Sequence, residues 1–69
     1  MSEVPLLNSL KAARTAAGLT QADLAEKVGV TRKTINTVEN GVFIPSTVLS
    51  LKLARALGAR VEDLFHLPE

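Results

Sequence analysis

The chain has 69 residues, 46% of them hydrophobic, and a net charge of +1, which is enough for one small core but near the lower limit for folding alone. The absence of cysteine excludes a disulfide scaffold, a thiolate zinc site and a cysteine nucleophile, and a single histidine, His66, excludes a histidine-rich metal centre. No apolar run approaches the roughly 20 residues that span a bilayer, and the opening Met1-Ser2-Glu3-Val4-Pro5 lacks the basic end and apolar stretch of a signal peptide.

Gly18, Gly29, Gly41, Pro45 and Gly58 cut the chain into five short segments with helical spacing. The first helix is expected over about 5–17, with Leu6, Leu10, Ala13 and Ala17 on one face and Gly18 as its stop. The second is expected over about 21–28. Thr20 caps it, Asp23 three residues later fits a capping box, and Leu24, Ala25 and Val28 face inward. The third, over about 32–40, has Thr31 as N-cap and Ile35 and Val38 as apolar anchors. The fourth follows Pro45 over about 47–57 with Ser46 as cap, and the fifth is a short turn over about 61–65. No segment alternates as a strand does, so an all-α fold of five short helices in one domain over 1–69 is expected.

The stretch LTQADLAEKVGVTRKTINTVENG, residues 19–41, carries the functional signal. Its second and third helices are joined only by Gly29-Val30-Thr31, and so short a turn makes them cross steeply. Gly29 accepts a left-handed backbone, Val30 plugs the space between the helices, and small Ala25 permits close approach. With Ile35 and Val38 inward, the opposite face of the third helix carries Arg32, Lys33, Asn36, Thr37 and Asn40. A helix fits the DNA major groove, where Arg, Lys and Asn suit the base edges.

This motif, followed by Pro45-Ser46 and by SLKLARALGARVEDLF at residues 50–65, resembles the phage-repressor-like helix-turn-helix family, also called the Xre or Cro-type family. The resemblance covers about residues 6–65. It implies a compact lambda-repressor-like bundle with the helix-turn-helix over about 20–40. It also implies that the third helix enters the major groove, with Arg32, Lys33, Asn36 and Thr37 near bases. Arg32 or Lys33 suits guanine O6 and N7, and Thr37 a thymine methyl. Gln21 matches the family's phosphate-binding glutamine at a helix N-terminus, and Thr34 and Asn40 match other phosphate-facing positions. Arg14 and Glu39 match a partly buried ion pair that joins helices one and three, a structural role.

Five basic residues between Lys27 and Arg55 (Lys27, Arg32, Lys33, Lys52, Arg55) stand against one acid, Glu39, a local balance of +4, whereas the rest of the chain balances to −3. The middle of the chain is therefore expected to face phosphates. Helix four departs from the family, which often has Leu where Thr47 stands and a polar residue where Val48 stands. Its apolar residues exceed one stripe, so Val48 or Leu49 is expected to be exposed or covered by something else. Phe43, Ile44 and Phe65 either close the core or belong, with helix five, to a dimer surface. His66 is expected to be a solvated side chain on a mobile tail.

These observations together imply a cytoplasmic transcriptional regulator that binds double-stranded DNA. A repressor acting as a homodimer on a palindromic operator fits best. A phage-type repressor, a restriction–modification controller and an antitoxin stay equally open. The alternative is a module that uses the same fold to bind a protein partner. No cofactor, metal or membrane association is expected. One histidine and no cysteine leave almost nothing for acid–base or nucleophilic catalysis, so an enzyme is not expected.

Overall fold

The computed structural model describes residues 6–68. Five helices form the body: α1 (Leu10–Ala16), α2 (Gln21–Val28), α3 (Arg32–Glu39), α4 (Thr47–Leu57) and α5 (Val61–Leu64). Two very short strands, β1 (Leu7–Asn8) and β2 (Phe65–His66), pair antiparallel with Leu7 opposite His66 and Asn8 opposite Phe65. The five-helix fold class is as expected, with this small sheet as an addition.

The sheet corrects two expectations. The first helix starts at Leu10 rather than near residue 5, and Pro5 itself lies outside the described residues. Strand pairing takes the backbone that an earlier helical turn would need, and the Ser9 N–H donates to the Leu64 carbonyl at 2.8 Å. The Asn8 side chain then accepts from the Leu10 N–H at 3.2 Å, in place of a cap from Ser9. His66 is likewise not on a loose tail. It sits in β2, half-buried, with Nε2 3.0 Å from Ser9 Oγ.

Hydroxyl caps start the three central helices. Thr20, Thr31 and Ser46 each accept the backbone N–H three residues on, from Asp23, Thr34 and Leu49. The α2 start is a full capping box, because the Asp23 carboxylate also accepts the Thr20 N–H at 2.9 Å. The core consists of Leu10, Leu24, Ala25, Val28, Ile35, Val38, Leu49, Leu53, Ala54 and Leu64, drawn from all five helices. On α4 the buried stripe is Leu49, Ser50, Leu53 and Ala54, which leaves Val48 and Leu51 in solvent. Ser50 sits in that stripe at little cost because its hydroxyl donates to the Ser46 carbonyl at 2.9 Å. Phe65 packs against the core, but Phe43 and Ile44 do not close it and are exposed.

A charged pair reaches the centre. Arg14 on α1 donates from Nε to Glu39 Oε2 at 2.6 Å and from Nη2 to Oε1 at 3.3 Å. Its Nη1 donates to the Leu19 carbonyl at 2.7 Å. The two side chains are only 9% and 3% exposed. The pair pins α1 to the last residue of α3 and to the chain entering α2.

Two consequences are measurable. Arg14→Ala leaves the Glu39 carboxylate buried without its cation, which costs about 3–5 kcal/mol. For a domain this small that lowers the melting temperature by more than about 10 °C. Replacing both partners with apolar residues, Arg14→Met with Glu39→Leu, recovers part of the loss. An unchanged melting temperature in Arg14→Ala contradicts the pairing. The second consequence concerns acid. Hydrogen bonds from the Thr20 backbone, and then from its side chain, hold the Asp23 carboxyl below its ordinary range. A depressed folded-state value means that the contribution is present above the unfolded value and is lost as pH falls through the folded one. Asp23→Asn therefore flattens the acid limb of stability against pH below about 4. An identical acid limb in the variant removes this role.

Candidate nucleic-acid interface

Helices α2 and α3 meet across a three-residue turn. Gly29 adopts φ +77°, a conformation that a side chain would strain, and the Val30 N–H donates to the Ala25 carbonyl at 3.0 Å. Val30 packs against the core beside buried Ala25 and Val28. The turn thus swings α3 across α2 and leaves one side of α3 facing out.

That outward side is polar throughout. Ile35 and Val38 are fully buried, whereas Arg32, Lys33 and Asn40 are exposed and Asn36, Thr37 and Thr34 are half-buried. Four expected base-contact positions, Arg32, Lys33, Asn36 and Thr37, therefore lie on the open part of one helix. Several side chains on this face already hold hydrogen-bond partners. Asn40 Nδ2 donates to Asn36 Oδ1 at 2.6 Å, so these two amides act together. The Thr34 hydroxyl lies 3.0 Å from that of Thr31. The Thr37 hydroxyl turns back onto its own helix, 3.1 Å from the Lys33 carbonyl and 3.0 Å from that of Thr34.

Gln21, the first residue of α2, links this face to the buried pair. Its Nε2 donates to Glu39 Oε1 at 3.0 Å, and its Oε1 accepts from Arg32 Nη1 at 3.4 Å. A continuous chain Arg14–Glu39–Gln21–Arg32 results, running from the core to the surface. The α2 N-terminus lies next to Arg32, and the Gln21 and Ala22 N–H groups that its capping box does not engage favour an anion there.

The five basic residues of the middle of the chain fall into two groups. Arg32 and Lys33 stand on α3, whereas Lys27, Lys52 and Arg55 line a separate cleft of about 500 Å³ between the end of α2 and α4. The sequence distance between Lys27 and Lys52 hid this grouping, because only the α2–α4 packing brings them together. A second unforeseen residue is Asn8. Its Nδ2 donates to the Val38 carbonyl at 3.1 Å and so ties the β1 strand to the end of α3. Nothing in a lone Asn before a helix signals that contact.

Comparison with known proteins agrees with this geometry. The Helix-turn-helix family model matches residues 10–64, which span all five helices. An uncharacterized HTH-type transcriptional regulator of Methanothermobacter thermautotrophicus is 55% identical over 53 residues, covering 75% of this chain and 77% of that one. The uncharacterized HTH-type transcriptional regulator YgzD of Bacillus subtilis is 42% identical over 62 residues, 90% of this chain and 94% of its own length. Among solved structures, the restriction-modification controller protein C.AhdI from Aeromonas hydrophila superposes with a TM-score of 0.74 at 41% identity, covering 78% of this chain and 82% of that one. The chain belongs to the Xre-like helix-turn-helix family of DNA-binding transcriptional regulators and is not an enzyme.

Proposed function

We propose that this protein is a sequence-specific transcriptional repressor that occludes a palindromic operator as a homodimer. The observation that carries the reading is the polar outer face of α3, with two cations at its N-terminal end and no apolar residue among its exposed positions. Arg32 and Lys33 donate to guanine O6 and N7, and Asn36 and Thr37 contact neighbouring bases. Gln21, Thr34 and Asn40 bond phosphates and set the register of the helix in the groove. In this reading Arg14 and Glu39 touch no DNA and hold α3 at its angle through Gln21.

A homodimer suits both a palindromic operator and a chain of this size. A domain of 69 residues gains stability from a partner, and two recognition helices about 34 Å apart read adjacent turns of one groove. Apolar residues near α5, Leu7 and Leu67, are exposed and available for such an interface. Such a regulator acts in the cytoplasm, where DNA is present. Among the described residues no helix is long and apolar enough to cross a membrane.

A second reading, as a protein-binding module, draws on Val48 and Leu51 of α4, which are 62% and 56% exposed. Salt dependence separates the two. Phosphate contacts weaken steeply as salt rises, and apolar contacts do not.

The test is selection of binders from a random duplex pool at physiological salt. An inverted repeat is the expected product. Arg32→Ala and Lys33→Ala should each relax preference at individual bases and lose about 1–3 kcal/mol of binding. Failure to enrich any sequence at protein concentrations well above micromolar removes the DNA-reading role and moves attention to α4. Light scattering at tens of micromolar should give twice the 7.3 kDa chain mass. A monomer mass both with and without DNA rules out the dimer.

A further inference from the structure

Two clefts adjoin between α4 and the α2–α3 turn, and Val28, Gly29 and Lys52 line both. The first, of about 500 Å³, carries the cations Lys27, Lys52 and Arg55. The second, of about 290 Å³, carries Val30 and Val48 and reaches Phe43. Val48, Lys52 and Arg55 follow one another at helical spacing, so α4 supplies an apolar end and a cationic end to a single groove. The opposite wall is the turn itself. Gly29 carries no side chain there, and among the described residues nothing beyond its chain neighbours lies within 4 Å of the place a Cβ would take. That wall is open to the approach of a second backbone.

Neither half of the groove is accounted for within the chain. Lys27 and Arg55 sit in the last turns of α2 and α4, where a cation offsets the helix carbonyls, but Lys52 does not. None of the three forms an ion pair among the described residues, and Glu26 is the one acid that lines either cleft. At the other half, Val48 is 62% exposed and Phe43 46%. A duplex would neutralise the cations and leave Val48 and Phe43 without apolar contact, because a phosphate backbone offers none. An occupant that satisfies both halves is a polypeptide that interleaves carboxylates with apolar side chains. We propose that this groove docks an acidic segment of a partner protein, with carboxylates on Lys27, Lys52 and Arg55 and apolar side chains on Val30 and Val48. The site is additional to the DNA-reading face of α3, and neither depends on the other.

The test is selection on the immobilised full chain from a displayed pool of random peptides, followed by fluorescence anisotropy of the enriched peptide. Peptides that interleave Asp or Glu with apolar residues are the expected product. Lys52→Glu and Val48→Ser, both at exposed positions and so expected to fold, should each weaken that peptide about threefold to tenfold, the scale of one or two surface contacts. Arg32→Ala and Lys33→Ala, which line neither cleft, should leave its affinity unchanged. A pool that enriches no peptide, or only peptides without acids, overturns the proposal. So does an equal loss in Arg32→Ala and Lys52→Glu, which marks general charge attraction rather than a groove. If Lys52→Glu leaves the peptide untouched and weakens the enriched duplex as strongly as Lys33→Ala does, the cations belong to the phosphate backbone and the docking site is rejected. The peptide measurements use no DNA, so failure here leaves the reading role of α3 standing, and failure to enrich a duplex leaves this proposal standing.

Discussion

Arg14 carries a charge into the centre of a very small core, and the fold is arranged around satisfying it. A guanidinium cannot be buried without partners for its N–H groups. Here the Glu39 carboxylate takes two and the Leu19 carbonyl a third. Those partners belong to the end of α3 and to the segment entering α2. One interaction therefore sets the placement of three parts of the chain, and among the described residues no buried side-chain polar atom is left without a partner. The cost of failing to pair this charge is as large as a substantial part of the stability of such a domain. The end of α3 is consequently tied to α1 and to the segment entering α2.

Function follows from what that rigidity presents. The helix that Glu39 ends is the helix that carries Arg32, Lys33, Asn36 and Thr37 on its open side. Gln21 extends the network from the buried carboxylate to the Arg32 guanidinium. Preordering of this kind lowers the entropy lost when long side chains engage a base edge. At the C-terminal end of α3, the Asn8 side chain on the Val38 carbonyl and the Thr37 carbonyl beneath the loop amides fix the strand and the loop that flank it. The outer face of α3 is thus braced from the core, from the N-terminal strand and from the α3–α4 loop.

Much of this was legible in the sequence. The bounds of α2 and α4 coincide with the expected 21–28 and 47–57, because hydroxyl caps and glycine stops act locally and leave a local mark. The face of α3 was legible for the same reason, since Ile35 and Val38 fix which side is inward. What escaped depends on contacts distant in sequence. Strands of two residues have no alternation to detect, so the residues of β1 read as the first turn of a helix. His66 looked like a tail residue because its partner, Leu7, lies at the other end of the chain. Phe43 and Ile44 read equally as core or as dimer surface, and the loop that carries them turns outward at Gly41. The cation group at Lys27, Lys52 and Arg55 exists only once α4 packs against α2.

The central claim is that duplex DNA engages α3 and the N-terminus of α2. Amide chemical-shift mapping of the labelled full chain, titrated with its enriched duplex, tests it most directly. The account predicts perturbations concentrated at Gln21, at residues 32–37 and at residues 40–43, with little change at Lys27, Lys52 and Arg55. Perturbations centred on that second basic cleft, or on Val48 and Leu51 of α4, would contradict it.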